Sequence, residues 1–182
     1  MMTPIIETKR LILRPLKASD AEAVFEGWAN DPEVSHFMRW NRHQNVEETR
    51  EWLEGEEAAA PRNDLFNWGF ALKDRERLIG SGGLVYSESL KMYEIGYNLA
   101  KDCWGCGYGT EAAGAIVEFA RDVLKVKEIY ATHAIENTAS GRILQKLGFS
   151  FQRQGIYSSF DGLKTFPAKE YILDLGQTRT AV

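Results

Sequence analysis

The stretch from Tyr93 to Ala120 holds the feature that most constrains the fold: three glycines, one residue apart, between a strand pattern and a helix pattern. Apolar and polar side chains alternate from Tyr93 to Leu99, which is the period of a strand. After the glycines, apolar positions recur with the spacing of one helical face. Glycine lets backbone approach a ligand, and the first N–H groups of a helix have no intrahelical partner. The turn therefore predicts an anion site. Its glycines are Gly105, Gly107 and Gly109.

Length and composition favour one globular domain. The chain has 182 residues, 44% of them hydrophobic and 26% charged, which suits a single domain spanning residues 1–182. The net charge of −4 argues against nucleic-acid binding, because that function usually needs a basic face. No apolar run approaches the ~20 residues of a membrane span, and the N-terminus lacks a signal-peptide pattern. We therefore expect a cytoplasmic protein with no nucleic-acid or membrane partner.

The only cysteines, Cys103 and Cys106, form a C-W-G-C sequence inside the glycine turn. A C-x-x-C pair ahead of a helix is one pattern of a redox site, because the helix dipole lowers a thiol pKa. No thioredoxin-like order of elements surrounds this pair, so we favour two small turn residues and keep a redox function as the alternative. No metal site is expected, because no second Cys or His pair lies at zinc-ligand spacing.

The remaining patterns predict a mixed sheet with helices. Period-two segments predict strands at 10–16, 66–72, 78–85, 93–99, 128–135, 149–157 and 165–175. Helices are predicted after Ser19, Asn45, Gly109 and Asn137. Capping boxes are expected at Ser19 with Glu22 and at Asn45 with Glu48, and Gly148 is expected to end the last helix. The tail from Gln177 to Val182 is expected to fray.

The order of these elements indicates the topology. The three strands between residues 66 and 99 are joined by short turns and predict an antiparallel meander. A helix separates strand 93–99 from strand 128–135, so these two are expected to be parallel neighbours. The chain is therefore predicted to have an α+β fold with one mixed, mostly antiparallel sheet and helices on both faces.

Two motifs carry a family resemblance. W-G-C-G-Y-G, from Trp104 to Gly109, resembles the Gln/Arg-x-x-Gly-x-Gly/Ala signature of the GNAT superfamily of acyl-CoA-dependent N-acyltransferases, with Trp104 where Gln or Arg usually stands. The segment from Asn137 to Phe149 resembles the second signature, an Asn that opens a helix ending in K-x-G-F. The opening T-K-R-L-I-L-R-P-L and the N-x-x-S spacing resemble the ribosomal-protein-alanine N-acetyltransferase branch. The resemblance spans essentially the whole chain. It implies the GNAT fold, with about seven strands and splayed fourth and fifth strands.

The resemblance also implies an acetyl-CoA site between the splayed strands. Pantetheine amides would bond to fourth-strand backbone at Gly96, Tyr97, Asn98 and Leu99. The pyrophosphate would bind N–H groups of the turn and the helix start, beside Trp104, at Gly105, Cys106, Gly107, Tyr108, Gly109 and Thr110. Asn137, which also caps its helix, and Ser140 would contact the cofactor from the second motif. A dinucleotide site does not fit, because its fingerprint follows the first strand of a parallel unit, and a Walker loop needs a Lys before Thr110.

Acyl transfer to an amine needs a base, donors to the oxyanion and stabilisation of the leaving thiolate. Glu94 is the candidate base, and the alternative is that it faces solvent or pairs with a cation. Backbone N–H groups between Tyr97 and Leu99 would bind the oxyanion. Many members of the resembled superfamily use a Tyr in the second motif to stabilise the leaving thiolate. Leu144 occupies that position here, so Ser140 is the candidate for this role. The alternative for Ser140 is a hydroxyl that bonds back to the backbone.

Other polar and aromatic residues are candidates for the acceptor side. In the resembled fold, the segment between the first two helices borders that side, and it contains His36, Met38, Trp40 and His43. Packing of this segment on the sheet explains the same residues almost as well. His133 is expected to be a buried, hydrogen-bonded histidine, with a cleft-facing base as the alternative. Tyr157 is a further acceptor-side candidate.

The resemblance therefore implies an acetyl-CoA-dependent N-acetyltransferase acting on a primary amine. The resemblance favours the N-terminal α-amine of a protein or peptide. A small amine, such as an aminoglycoside or polyamine, and a catalytically silent acyl-CoA-binding module are the alternatives. The expected partners are acetyl-CoA and the amine acceptor, and a homodimer is left open.

Overall fold

One eight-stranded sheet organises the computed structural model, which describes residues 1–59 and 62–176. The strands are β1 (Ile6–Glu7), β2 (Leu11–Arg14), β3 (Leu65–Leu72), β4 (Leu78–Ser87), β5 (Met92–Leu99), β6 (Glu128–Ala134), β7 (Ser150–Ser158) and β8 (Thr165–Asp174). Their order across the sheet is β1-β2-β3-β4-β5-β6-β8-β7. The α+β architecture is the predicted one. The tail from Gln177 to Val182, predicted to fray, lies outside the described residues.

Helices cover both faces of this sheet. They are α1 (Ala21–Val24), α2 (Pro32–Ser35), α3 (Val46–Ala59), α4 (Tyr108–Asp122) and α5 (Thr138–Lys146). A 3₁₀ turn precedes α1 and a π-helical turn follows it, and another 3₁₀ turn stands between β5 and the glycine turn. The predicted helix after Ser19 is therefore interrupted, whereas α4 is one continuous element.

The two faces of the sheet have different roles. On the face that we call the α4 face, α4 packs over β3 and β4 in a large core where Trp68 and Ile116 are fully buried. On the opposite face, which we call the α1 face, Trp28 and Leu53 pack over the other side of the same strands. Side chains alternate along β5, so Tyr97 joins the core of the α4 face while its neighbours lie on the α1 face.

The predicted strand pairings are present. β3, β4 and β5 form the antiparallel meander, and β5 pairs with β6 in parallel. The closing hairpin inserts β8 between β6 and β7. The short strand β1, which pairs with β2, is additional to the prediction. Its two residues are too few to give a recognisable period.

The predicted capping box at Ser19 and Glu22 is wrong, because Asp20 rather than Ser19 bonds the backbone at the start of this helix. The carboxylate of Asp20 accepts a hydrogen bond from the backbone N–H of Lys17 at 2.9 Å. The same carboxylate binds both terminal nitrogens of Arg14 at 2.8 Å, which fixes it beside β2. A bidentate, charge-assisted contact of this kind outweighs a single hydroxyl cap.

The caps of α3 and α5 are the predicted ones. Asn45 accepts from the N–H of Glu48 at 2.8 Å, and Asn137 accepts from the N–H of Ser140 at 3.2 Å. Gly148 adopts a φ of 89° after α5, in the left-handed region that glycine favours at a helix end. These ends are determined locally, so short sequence motifs predict them.

Candidate active site

A gap in the centre of the sheet forms where β5 and β6 diverge, and we call it the cleft. The two strands pair at Tyr93 with Ile129 and at Glu94 with Tyr130, and at no later position among the described residues. Past Glu94, the β6 side of β5 therefore has backbone groups that β6 does not reach. β5 and β6 are the fourth and fifth strands of the sequence prediction, and the cleft is the predicted splay.

Backbone groups of β5 point into the cleft at alternate residues. Just past the strand, Ala100 donates its N–H to Ile79 on the β4 side at 2.8 Å. One residue earlier, the carbonyl of Leu99 accepts a hydrogen bond from the indole N–H of Trp104 at 2.9 Å. Because successive residues of a strand direct their N–H and C=O groups to opposite edges, Leu99 and Tyr97 direct theirs toward the cleft. Trp104 already occupies the Leu99 carbonyl. The Leu99 N–H and the backbone groups of Tyr97 are therefore the open ones among the residues predicted to bind the cofactor.

The other two predicted β5 residues lie on the α1 face. A Cβ atom at Gly96 would meet no atom within 4 Å, so the space above it is open. Asn98 donates from its amide nitrogen to Ser81 at 2.9 Å, and its buried amide oxygen has no partner among the described residues. Gly96 therefore gives access to the cleft from the α1 face.

The glycine turn has the backbone shape that its composition predicts. Gly105 and Gly107 have φ values of 75° and 81°, which a residue with a Cβ atom adopts only under strain. Gly107 is the N-cap of α4 and has no side chain to bond the first-turn N–H groups. Tyr108 and Thr110 are half-buried in that first turn. The turn thus presents unbonded N–H groups at the positive end of a helix dipole, which suits a phosphate.

Gly109 has a packing role besides the ligand role that the sequence predicts. Its position is buried, and a Cβ atom there would lie 2.8 Å from a methyl carbon of Ile143 and 3.3 Å from one of Leu99. The missing side chain therefore allows α4 to pack closely against α5 and β5. The sequence alone could not separate this packing role from a ligand role, because both require glycine.

An ion-pair network that the sequence reasoning missed supports the turn. The Glu111 carboxylate accepts from the hydroxyl of Thr8 at 2.6 Å, and from the backbone N–H and the Nε of Arg10, each at 2.7 Å. Arg10 also donates to the carbonyl of Cys106 at 2.9 Å and lies over the Tyr108 ring at 4.3 Å. Burial disfavours the ionised carboxylate, but these hydrogen bonds outweigh it and lower the pKa of Glu111. The N-terminal segment thus fixes the turn and adds a cation beside it.

The structure does not support an activated thiolate at Cys103. Cys103 is buried, and this burial, followed by the nearby Asp102 carboxylate, raises the pKa of its thiol. Cys106 is exposed, and both cysteines are free. A redox function would require a lowered thiol pKa, so the geometry favours two small residues in a turn. Within the described residues, no group of three or more His, Cys, Asp or Glu side chains could hold a metal ion.

The second wall of the cleft is the start of α5, where Asn137 and Ser140 lie as predicted. The Ser140 hydroxyl is 3.2 Å from the hydroxyl of Tyr97, which reaches it from β5 on the α4 face. The Tyr97 hydroxyl also lies 3.3 Å from the Ser140 carbonyl. Burial raises the pKa of Tyr97 to about 12, so the phenol is protonated at neutral pH. The structure therefore joins two predicted cofactor residues across the cleft.

Glu94 lies on the α1 face at the closed end of the cleft, and it pairs with a cation. Its carboxylate is 3.0 Å from the guanidinium of Arg39, which lies in turn over the Tyr157 ring at 5.1 Å. The Glu94 side chain is 27% exposed, so water reaches it. The sequence left two hypotheses for Glu94, a catalytic base and a carboxylate paired with a cation. Both are compatible with this geometry, because a paired carboxylate can still accept a proton through water.

A second paired carboxylate lies on the same face. Tyr130 of β6 pairs with Glu94 of β5. Glu170 of β8 pairs with Thr132, the next residue of β6 on the same face. The Glu170 carboxylate is 2.8 Å from Arg153 on β7. Burial, and then the charges of Glu170 and Glu94, raise the pKa of Tyr130 to about 12. The α1 face at the cleft therefore carries two carboxylates, each with its own arginine.

The segment between α2 and α3 packs on the α1 face, and the β7–β8 turn holds it there. The ammonium of Lys164 donates to the carbonyls of Ser35 at 3.0 Å and Trp40 at 2.8 Å. The backbone N–H of Phe160 donates to the carbonyl of Arg39 at 2.8 Å, and the hydroxyl of Tyr157 donates to the carbonyl of Phe37. The whole segment thus forms one wall beside Glu94.

The histidines and aromatic residues of this region are mainly engaged in packing. His36 contacts the rings of Phe37 and Phe166, while Trp40 packs with the α1-side core. His43 is 2.8 Å from the Thr49 hydroxyl, and burial lowers its pKa. Met38 bonds through its N–H to Ser35 at 3.1 Å.

His133 is buried, as expected, on the α4 face rather than in the cleft. Its Nδ1 lies 2.7 Å from the carbonyl of Ala134, and its ring stacks on Tyr171. A Cβ atom at Gly141 would lie 2.9 Å from its Nε2, so α5 packs directly on the ring. Burial lowers the pKa of His133 and favours the neutral form. The geometry favours a packing role.

Comparisons with known proteins agree with this fold. Residues 10–150 match the family model described as Acetyltransferase (GNAT) domain. The uncharacterized N-acetyltransferase YoaA of Bacillus subtilis is 31% identical over 160 residues, covering 87% of this chain and 89% of that protein. The ribosomal-protein-S5-alanine acetyltransferase of Vibrio fischeri has a TM-score of 0.81 at 16% identity, covering 96% and 98%. The microcin C7 self immunity acetyltransferase MccE, in complex with acetyl-CoA and AMP, has a TM-score of 0.77 at 16% identity, covering 92% and 93%.

The chain belongs to the GNAT acetyltransferase family. It is an acetyl-CoA-dependent N-acetyltransferase, and its substrates are acetyl-CoA and an amine. The cleft fits that chemistry, because it combines a glycine turn at an uncapped helix start, an unpaired backbone edge and a carboxylate at its closed end. Among the described residues, no helix is both long and apolar enough to cross a membrane.

Proposed function

We propose that the chain transfers acetyl from acetyl-CoA to the N-terminal α-amine of a protein or peptide. One observation supports this choice of acceptor. Both carboxylates on the α1 face of the cleft, Glu94 and Glu170, already pair with arginines, at 3.0 Å and 2.8 Å. Among the described residues, these two carboxylates therefore do not form a cluster of uncompensated negative charge.

The charge balance disfavours a polycationic acceptor. A polyamine or an aminoglycoside carries several ammonium groups, and its binding requires several carboxylates, because desolvated charges must be compensated. Here, such a ligand would compete with Arg39 and Arg153 for each carboxylate. A peptide N-terminus has one amine, which attacks in its neutral form, and one water-accessible carboxylate suffices to take its proton. The V. fischeri protein of similar fold, a ribosomal-protein-S5-alanine acetyltransferase, gives independent support.

The proposed binding mode of acetyl-CoA follows the cleft from the turn inward. The pyrophosphate binds the N–H groups of the turn from Gly105 to Thr110, with Trp104 and Arg10 beside it, and the pantetheine extends along β5 from Leu99 toward Gly96. Asn137 and Ser140 contact it from α5. These assignments rest on the uncapped helix start and on the unpaired edge of β5.

The proposed chemistry uses groups at the closed end of the cleft. Glu94 accepts the amine proton, directly or through one water. The Tyr97 N–H donates to the thioester oxygen as that oxygen becomes negative, because it points into the cleft. Ser140 donates to the departing sulfur. The open space at Gly96 admits the amine from the α1 face.

A panel of acceptors tests this proposal. Short peptides with a free N-terminal alanine or serine are compared with the same peptides acetylated at the N-terminus but carrying a free lysine, and with spermidine and kanamycin. Release of CoA is measured for each. Release only with the free N-termini supports the proposal, whereas faster release with spermidine or kanamycin overturns it. Calorimetric binding of acetyl-CoA without release on any acceptor would indicate a silent acyl-CoA-binding module.

A further inference from the structure

The two hydroxyl groups that meet across the cleft, those of Tyr97 and Ser140, form what we call the hydroxyl pair. Tyr97 belongs to β5 and Ser140 to the first turn of α5, so the pair bridges the walls that diverge after Glu94. The oxygens are 3.2 Å apart, and the Ser140 carbonyl is 3.3 Å from the phenol oxygen. Hydroxyl protons rotate freely, so the distances alone do not fix which group donates.

Counting the protons of the pair gives two arrangements. In the first, Ser140 donates to the phenol oxygen, and Tyr97 donates to the Ser140 carbonyl. In the second, Tyr97 donates to the Ser140 hydroxyl oxygen, and the Ser140 proton is free to bond a third group. The two arrangements differ only by rotation of the two hydroxyl hydrogens about their C–O bonds. The pair can therefore turn a donor toward the cleft without moving any heavy atom.

The third group is identified by its place in the cleft. An acyl donor whose phosphates bind at the α4 start must extend toward the closed end of the cleft to reach Glu94. Its sulfur then lies near Tyr97, between the last paired residue and the end of β5. As the thioester breaks, this sulfur gains negative charge and becomes a hydrogen-bond acceptor.

We propose that the hydroxyl pair stabilises the departing thiolate, with Ser140 as the direct donor and Tyr97 as the positioning residue that directs the Ser140 proton to sulfur. This inference rests on the proposed binding mode of acetyl-CoA and extends it, because it gives Tyr97 a side-chain role beside its backbone role. The phenol is suited to it: with a pKa of about 12, Tyr97 stays protonated throughout turnover and always has a proton to donate.

The step balances without loss of a proton from the pair. The amine nitrogen forms a bond to the acyl carbon, the carbon–sulfur bond breaks, and its electron pair goes to sulfur. The amine nitrogen gives one proton to Glu94 or to water, and the thiolate takes one proton from solvent as free CoA. Tyr97 and Ser140 only donate hydrogen bonds, so both are unchanged after turnover.

The thiol pKa of bound CoA tests the hydroxyl pair directly. It is measured in the enzyme–CoA complex from the ultraviolet absorbance of the thiolate, in parallel with kcat for acetyl transfer. The variants are Tyr97→Phe, Ser140→Ala and the double variant. Tyr93→Phe is the matched control, because Tyr93 lies on the same strand and face but bonds to the carbonyl of Asn63. Thermal unfolding checks that each variant is folded.

The expected results separate the roles of the two residues. Ser140→Ala raises the thiol pKa of bound CoA and lowers kcat about tenfold to a hundredfold, the effect of losing a hydrogen bond to a charged group. Tyr97→Phe changes both quantities in the same direction by a smaller factor, about threefold to tenfold. The double variant matches Ser140→Ala alone, because Tyr97 acts only through Ser140. Tyr93→Phe leaves both quantities at the wild-type values.

Three outcomes overturn the inference. If folded Tyr97→Phe keeps the wild-type thiol pKa and kcat, the phenol does not direct the Ser140 proton. If the two substitutions have additive effects, the residues act separately. Failure of the wild-type protein to bind CoA would overturn the proposed function itself, whereas binding with an unshifted thiol pKa in every variant overturns the hydroxyl pair alone.

Discussion

The carboxylate of Glu94 lies 3.0 Å from the guanidinium of Arg39, and this pair stands where β5 and β6 begin to diverge. Arg39 comes from the segment between α2 and α3, and Glu94 comes from β5. The contact therefore couples that segment, which we propose borders the acceptor site, to the cleft. It leaves Glu94 partly exposed, which a proton acceptor requires.

Replacement of this carboxylate tests the proposed base. Glu94→Gln keeps the size of the side chain but cannot accept the amine proton. We expect kcat to fall by about 10²-fold or more, with the KM for acetyl-CoA little changed. The exposed Glu88 in the β4–β5 turn provides the control variant Glu88→Gln, which should behave as the wild type. Wild-type rates for Glu94→Gln at every pH would remove Glu94 from the mechanism.

The left-handed conformation of Gly107 predicts a binding defect. Gly107→Val places a branched side chain on a residue with a φ of 81°, which costs about 1–3 kcal/mol of strain, and it fills the approach to the first-turn N–H groups. Acetyl-CoA binding should be lost in calorimetric titration.

Gly114 provides the matched control for this glycine. It lies further along α4, where an added Cβ atom would be 3.6 Å from the nearest atom, an ordinary contact. Gly114→Ala should therefore bind acetyl-CoA normally. Folded Gly107→Val protein with wild-type affinity would contradict the assignment of the phosphate site.

The network around Glu111 predicts a pH-dependent stability. The carboxylate pKa is lowered in the folded protein, so its contribution is complete above the ordinary Glu pKa of about 4.3 and is lost as pH falls through the lower folded-state pKa. Glu111→Gln should destabilise the protein by about 1–2 kcal/mol near neutral pH, a modest value because Arg10 is partly exposed.

Thermal unfolding between about pH 7 and about pH 3 measures this contribution. The difference between wild type and Glu111→Gln should shrink on the acid side. The exposed Glu118 on the same helix serves as control, and Glu118→Gln should unfold like the wild type. A constant difference at all pH values would mean that the ionised form of Glu111 contributes nothing.

The contacts of Lys164 predict an effect on the KM for the acceptor alone. Its ammonium holds the carbonyls of Ser35 and Trp40, and burial lowers its pKa. Lys164→Met should loosen the acceptor-side wall and raise the KM for the acceptor roughly tenfold, because small misplacements of a binding wall are costly. Binding of acetyl-CoA should be unchanged.

The control for this substitution is Lys91→Met in the exposed β4–β5 turn, where the lysine pairs only with the nearby Glu88. Steady-state kinetics with each substrate varied in turn separates the two KM values. If Lys164→Met weakens acetyl-CoA binding and leaves the acceptor KM unchanged, the segment does not border the acceptor site.

The free cysteines predict no redox dependence. Cys103→Ala combined with Cys106→Ser should keep acetyl transfer within about threefold of wild type, because burial raises rather than lowers the thiol pKa of Cys103. The same assay with oxidised and reduced wild-type protein should give equal rates. A rate that changes with oxidation only when both cysteines are present would restore the redox alternative.

The sequence predicted the parts of the fold that depend on local patterns. The meander, the parallel partner of β5, the Asn137 cap and the glycine turn all follow from periods, spacing or backbone preference. It failed at the start of α1, where Asp20 is fixed by Arg14 from a neighbouring strand. Short-range propensity cannot include such a partner.

The sequence by itself determined a glycine turn between a strand and a helix, and with it a place for an anion. Only the tertiary structure decided what surrounds that turn. Glu94 and Arg39 are 55 positions apart, Tyr97 and Ser140 are 43 apart, and Arg10 and Glu111 are 101 apart. The turn is local, because it needs only backbone that tolerates a positive φ. The paired carboxylates and the hydroxyl pair are not local, because each needs side chains that meet only when the strands and helices pack.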